Sequence, residues 1–218
     1  MLHQINIFIH VLSGTIALLL GFVALSSVKG GTIHNRSGRF FLIFMSIVIL
    51  TGLIGVFGYG RNVFLLVITV LSGYVAFSGY RILQFRSNAP RKIDIAIALI
   101  SLLILIYYLF YFKATDMYWS PILIYSTTGA LLLVITYDLF RFVIPRKTYH
   151  KQRIWLYEHI YKMTSAFTGL LAAFSGTVFD AYQPHSQYLP SLFGILLIIG
   201  FFLYLRKYGL KKFRRNQA

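Results

Sequence analysis

Ionisable side chains interrupt one of the long apolar segments of this chain, at residues 155–163, WLYEHIYKM. Each charge costs about 2.5–3.5 kcal/mol at the centre of a membrane helix, so such residues usually have a role. Together with Asp138, the side chains of Glu158, His159 and Lys162 form a candidate intramembrane polar site that could line a proton or substrate pathway. The structural alternative is an i, i+4 ion pair between Glu158 and Lys162, with His159 hydrogen-bonded across a helix interface.

Four histidines are candidate haem or metal ligands: His10, His34, His159 and His185. Imidazole suits both haem iron and other transition metals, although the spacing matches no zinc motif. His10 and His159 are expected near opposite membrane faces, about 15 Å apart along the membrane normal, and therefore cannot share one metal. Two haems would pair His34 with His159 at one face and His10 with His185 at the other, with His34 and His185 placed in loops.

The basic loop KGGTIHNRSGR has two interpretations. The side chains of Lys29, Arg36 and Arg39 could bind an anion at the start of the second helix, where free backbone N–H groups point. The glycines and positive charges equally fit a tight hairpin on the cytoplasmic side of a membrane, and this interpretation is favoured because a phosphate loop needs a strand before it.

The chain contains no cysteine, which excludes disulfides, iron–sulfur clusters and thiol chemistry. It also contains no nucleophile elbow and no phosphate loop. These patterns argue against an enzyme, and they leave binding and transport as the main functional classes.

The composition is that of a membrane protein. Hydrophobic residues make up 58% of the chain and charged residues 12%, against about 25% charged in soluble domains. The net charge of +16 does not indicate nucleic acid, because the lysines and arginines lie between apolar segments, where topology explains them. The lipid bilayer is therefore the expected partner.

Seven apolar segments are long enough to cross a core of about 30 Å. They are residues 5–27, 39–59, 63–85, 93–112, 121–144, 154–179 and 190–208. The predicted fold is an all-α, polytopic bundle of seven transmembrane helices in one domain, 1–208, followed by a basic tail, 209–218. Eighteen of the 21 lysines and arginines fall in alternate loops and the tail, which predicts an N-terminus outside and a C-terminus in the cytoplasm.

Several stretches resemble a family of predicted multi-pass bacterial membrane proteins of unknown function. They are IHVLSGTIALLLGFVAL, KGGTIHNRSGRFFLIFM, SGYRIL, WLYEHIYKMTSAFTG and YLPSLFG, so the resemblance spans most of the chain. Asn35 and Lys162 stand where the family pattern usually has arginine. The resemblance implies a membrane bundle of the bacterial cytoplasmic membrane and no particular activity, substrate or cofactor.

The sequence thus favours an integral membrane protein that acts as an accessory or binding subunit of a membrane complex, together with other membrane-protein subunits. Two alternatives remain open: a haem- or metal-binding redox protein that uses the intramembrane histidines, and a small-molecule or proton-coupled transporter.

Overall fold

The computed structural model describes residues 1–60, 64–114 and 121–208, and within these ranges the chain is helical with no strand. The eight helices of this part are α1 Leu2–Ser26, α2 Thr32–Tyr59, α3 Phe64–Phe85, α4 Lys92–Ala114, α5 Pro121–Phe140, α6 Arg146–Lys151, α7 Ile154–Val178 and α8 His185–Tyr208. Short 3-10 turns at Arg141–Val143 and Asp180–Tyr182 precede α6 and α8. The all-α prediction is confirmed. The predicted tail, 209–218, lies outside the described residues.

Six helices of the described part, α1 to α5 and α8, are long and apolar enough to cross a membrane. This is the pattern of a multi-pass membrane protein. The remaining predicted segment, 154–179, forms α7, whose 25 residues would reach about 37 Å at 1.5 Å per residue. α7 falls short of the hydropathy of these six helices, because it contains the charged stretch at residues 155–163.

Two predicted loop histidines lie in helices. The second helix begins at Thr32 rather than at 39, after Gly31 in an extended conformation, so His34 occupies its first turn. His185 likewise begins α8, five residues before the predicted start of that segment. The prediction followed the apolar runs, but a helix continues through polar residues for as long as its backbone hydrogen bonds form.

The predicted segment 121–144 is also not a single helix. α5 ends at Phe140, one 3-10 turn follows, and Ile144 is extended because Pro145 disfavours a helical conformation in the residue before it. After the short α6, Arg153 adopts a left-handed conformation with φ of 54° and α7 begins. This reversal brings the end of α5, and α6, back against the first turns of α7.

α3 and α7 form the centre of the bundle. α3 packs on α2, α4, α5 and α7, while α7 also packs on α1, α6 and α8. The buried residues of α1 are all small, namely Ser13, Ala17, Gly21 and Ala24, and they bring this helix close to its neighbours at Gly21. A Cβ atom at Gly21 would lie 2.5 Å from the ring of Phe167 in α7 and 3.2 Å from that of Phe41 in α2. The three helices therefore meet at this level.

Candidate functional site

The end of α5 and the start of α7 share a buried ionic network. Asp138 and Arg141 come from the end of α5 and the turn after it, and Glu158 and Lys162 from the first two turns of α7. The Lys162 side chain is completely buried, and the other three residues are each less than a tenth exposed. We call these four residues, with the tyrosines that bind them, the ionic network.

Lys162 and Asp138 form its first half. The Lys162 ammonium donates to both carboxylate oxygens of Asp138, with a distance of 2.6 Å between Nζ and Oδ2. The hydroxyl of Tyr74 in α3 donates to the same Oδ2 at 3.0 Å. Three helices are thereby tied together by a single carboxylate.

Glu158 is the centre of the second half. Its Oε1 accepts a hydrogen bond from Tyr137, and its Oε2 accepts from the Arg141 guanidinium at 3.1 Å and from the Tyr149 hydroxyl at 2.9 Å. Tyr149 lies in α6, and burial, together with the nearby Glu158 charge, raises the pKa of its hydroxyl well above the usual value. Tyr149 therefore stays protonated and remains a hydrogen-bond donor.

Arg141 joins the two halves. Its Nη1 lies 3.1 Å from Glu158 Oε2 and 3.7 Å from Asp138 Oδ1. The two carboxylates and the two cations balance in charge, and each of the four carboxylate oxygens accepts a hydrogen bond from a side chain. A buried charge that lacks its partner costs several kcal/mol, so compensation inside the fold is what makes this cluster tolerable within the bundle.

The predicted four-residue site is only partly assembled. Asp138, Glu158 and Lys162 belong to the ionic network, but His159 faces α3, where its Nδ1 bonds to the carbonyl oxygen of Gly79 at 3.1 Å. The ion pair between Glu158 and Lys162, considered from their i, i+4 spacing, does not form. Lys162 pairs instead with Asp138 near the end of α5, and Glu158 pairs with Arg141 in the turn that follows it, so that neither charge is left exposed to lipid.

The four candidate ligand histidines lie in different places. His10 Nδ1 lies 2.9 Å from the Thr51 hydroxyl between α1 and α2, and His34 Nδ1 bonds to the carbonyl oxygen of Ala24 at 2.9 Å. His185 packs against the ring of Tyr188. No three His, Asp or Glu side chains come together as a metal-ion site among the described residues.

Lys29, a residue of the predicted anion site, caps the C-terminal end of α1. Its ammonium donates to the carbonyl oxygens of Ala24 and Ser27 at 3.1 and 3.3 Å, and also to that of Leu25. Burial lowers its pKa from the usual 10.5 to about 8. Arg36 and Arg39 are exposed on the first two turns of α2, so the anion site stays a prediction.

Tyr137 and Tyr149 were not among the predicted site residues. Tyr149 sits within a basic stretch that resembles an ordinary loop, and Tyr137 faces Glu158 only because of the reversal after α5. The position of Tyr137 immediately before Asp138, on a helix with no other charged residue, was the one available signal.

A small cavity adjoins the network. It is lined by polar side chains that include Tyr74, Ser78, Arg81, Asp94, Asp138 and Arg141. It has room for about one ordered water molecule. Arg81 and Asp94 form a second ion pair there, with 2.8 Å between Nε and Oδ1, and the Nε of Arg141 has no hydrogen-bond partner among the described residues.

No protein-family model, curated protein or solved structure matches this chain.

Proposed function

We propose that the chain crosses the cytoplasmic membrane of a bacterium seven times, with its N-terminus outside, and acts as an accessory or binding subunit of a membrane complex. The seven spans include α7. Its charged residues, Glu158 and Lys162, form ion pairs with Arg141 and Asp138 at the end of α5 and in the turn after it. The distribution of lysine and arginine between alternate loops supports the orientation.

One observation carries the functional part of the proposal. All four carboxylate oxygens of Asp138 and Glu158 accept hydrogen bonds from side chains of the chain itself. Carboxylates whose oxygens are all hydrogen-bonded by the chain itself favour a fixed arrangement of α3, α5, α6 and α7. A fixed arrangement suits a subunit that presents a constant surface to its partners.

The orientation can be tested directly because the natural sequence has no cysteine. Single cysteines replace Tyr182, which is exposed in the turn before α8, and Lys151, which is exposed at the end of α6. A membrane-impermeant maleimide added to spheroplasts should label Tyr182→Cys and should label Lys151→Cys only after the cells are broken. The reverse pattern would contradict the proposed topology.

Native complexes test the accessory role. The tagged chain is cross-linked in its own membranes and purified, and a second membrane protein should accompany it at a fixed ratio in independent preparations. Another tagged polytopic protein from the same membranes controls for carry-over. Arg141→Gln, which separates the two halves of the network, should lower the yield of the complex, whereas Arg206→Gln at the exposed end of α8 should not. A stable, monomeric chain without a partner would contradict the proposal.

A second candidate function is supported by the cavity. It joins Asp138 and Tyr74, inside the bundle, to the less buried ion pair of Arg81 and Asp94. A water molecule in this space would connect the two groups of charges and provide part of a proton pathway. This arrangement favours a proton-coupled transporter over the haem alternative as the role of the network itself.

Proton flux into proteoliposomes after a pH jump, measured with an enclosed pH-sensitive dye, distinguishes the two candidates. A transporter predicts that Asp138→Asn and Asp94→Asn each abolish the flux, while Asp180→Asn, at an exposed turn, leaves it unchanged. Flux equal to that of empty liposomes in the natural chain would contradict the transport function and leave the accessory role.

A further inference from the structure

His34 and His159 both direct the same ring nitrogen into the backbone. The Nδ1 of His34 bonds to the carbonyl oxygen of Ala24 at 2.9 Å, and that of His159 to the carbonyl oxygen of Gly79 at 3.1 Å. A carbonyl oxygen only accepts, so Nδ1 carries the proton in both rings. In the neutral ring the lone pair is then on Nε2.

Both Nε2 atoms are available to bind a ligand. Within the described ranges, no side chain or backbone group forms a hydrogen bond to either of them, and each keeps some exposed surface. An Nδ1–H group bonded to a backbone carbonyl is also the outer contact that orients histidines bound to metals, because it fixes the tautomer and the ring plane.

The two rings lie at the same level of the bundle. Phe41 of α2 and Phe167 of α7 meet at Gly21 of α1. His34 precedes Phe41 by seven residues and His159 precedes Phe167 by eight, so each ring lies about two helical turns from this crossing, toward the same end. His34 is also within electrostatic reach of His159.

Space is open beside His34. Gly38 follows His34 by one turn on the same face of α2, and a Cβ atom added there would meet nothing within 4 Å. Both imidazole rings are only partly buried. Lys29 lies within electrostatic reach of His34, and Arg36 and Arg39 are exposed on the first two turns of α2, so the surroundings of His34 are basic.

We propose that His34 and His159 bind haem, with the two Nε2 atoms as axial ligands of the iron. Two protein ligands are sufficient only when the other four come from the cofactor, and a porphyrin supplies four nitrogens in its plane. The basic side chains near His34 suit the two propionates. This site is separate from the ionic network, and it goes beyond the proposed accessory role without depending on it.

The test is a titration of the detergent-purified, full-length chain with hemin, followed by absorption spectra before and after dithionite reduction. We expect a shifted Soret band that saturates at one hemin per chain, with sharp α and β bands after reduction, as bis-histidine iron gives. His34→Ala and His159→Ala should each lose the sharp low-spin bands. His150→Ala, at an exposed position in α6, and His10→Ala, near the other end of α1, should retain them.

A rescue experiment separates loss of a ligand from loss of the fold. Imidazole added to the His159→Gly variant should restore the low-spin spectrum if the cavity is intact. The proposal is overturned if the natural chain binds no hemin at one equivalent, or if His34→Ala and His159→Ala both retain the low-spin bands. Loss of the bands only in His10→Ala would place the haem at the other end of α1 and would equally overturn the site.

Discussion

The ammonium of Lys162 lies against both carboxylate oxygens of Asp138, 24 residues earlier in the chain, although Glu158 is one turn away on its own helix. The carboxylate of Glu158 instead accepts hydrogen bonds from Arg141, Tyr137 and Tyr149. The charged residues of α7 therefore connect this helix to α5 and the turn after it. An ion pair within α7 would not have connected any two helices.

The pairing of Lys162 with Asp138 predicts strong coupling between the two residues. Lys162→Met and Asp138→Leu should each destabilise the protein by about 3–5 kcal/mol, because each leaves a buried charge without its partner. The double variant should lose less than the sum of the two by at least about 1 kcal/mol. Unfolding in mixed detergent micelles measures these changes. Lys147→Met, at an exposed position, is the control, and strictly additive losses would contradict the pair.

The hydroxyl of Tyr149 should matter more than that of an exposed tyrosine. Tyr149→Phe removes one of the two donors to Glu158 Oε2 and should cost about 1.5–3 kcal/mol, the usual range for hydrogen bonds to charged groups. Tyr182→Phe, at a tyrosine that is 69% exposed, should change stability by less than about 0.5 kcal/mol. Equal effects of the two substitutions in the same unfolding assay would show that Glu158 does not depend on Tyr149.

The lowered pKa of Lys29 predicts an unusual pH dependence. Between about pH 8 and 10.5 the folded chain binds fewer protons at Lys29 than the unfolded chain does. The cost of burying the ammonium is therefore present below pH 8 and is relieved as the pH rises, so this residue makes stability increase over that range. Acetylation followed by mass spectrometry should give a midpoint near pH 8 for Lys29. A free lysine derivative, with its usual pKa of about 10.4, is the reference, and a midpoint above pH 10 would contradict the burial.

Two glycines form a matched pair that tests the contact of α3 with α7. A Cβ atom at Gly79 would lie 2.9 Å from Lys162 Cβ and 3.2 Å from Met163 Sδ, whereas one at Gly129 in α5 would meet nothing within 4 Å. Gly79→Ala should therefore destabilise the protein by about 1–3 kcal/mol through overpacking. Gly129→Ala should be neutral or stabilising by up to about 1 kcal/mol, because alanine favours the helix. Similar unfolding midpoints for the two variants would contradict the close approach.

Hydropathy predicted the helices well, because the apolar runs that must be buried in lipid are visible in the sequence. Hydropathy also showed that the ionisable residues of α7 interrupt an otherwise apolar segment. It could not show that Asp138 reaches Lys162, since this contact depends on the reversal through the 3-10 turn, α6 and the left-handed Arg153. The rule for i, i+4 pairs describes exposed helices, where no third helix competes for the charges.

The start of α2 shows a different limit. His34 belongs to a helical turn made of polar residues. A prediction based on runs of apolar residues leaves such a turn out of the helix, even though its backbone hydrogen bonds form. Its bond to Ala24 joins residues ten apart and depends on how tightly the chain turns between α1 and α2. Sequence spacing contains no information on that turn beyond its glycines, and Gly30, with φ of 79°, is the residue that makes it.

The compensation of α7 by α5 also has a consequence for biogenesis. α7 is the one long helix of the described part that falls short of the hydropathy of a membrane span, and its Glu158 and Lys162 have their partners in Asp138 and Arg141, which leave the ribosome first. We expect α5 to wait beside the translocon until α7 emerges, so that the two enter the bilayer as a hairpin. A chain truncated before α7 would then lack the partners that Lys162 and Glu158 provide for Asp138 and Arg141, and we expect it to become a substrate for membrane quality-control proteases.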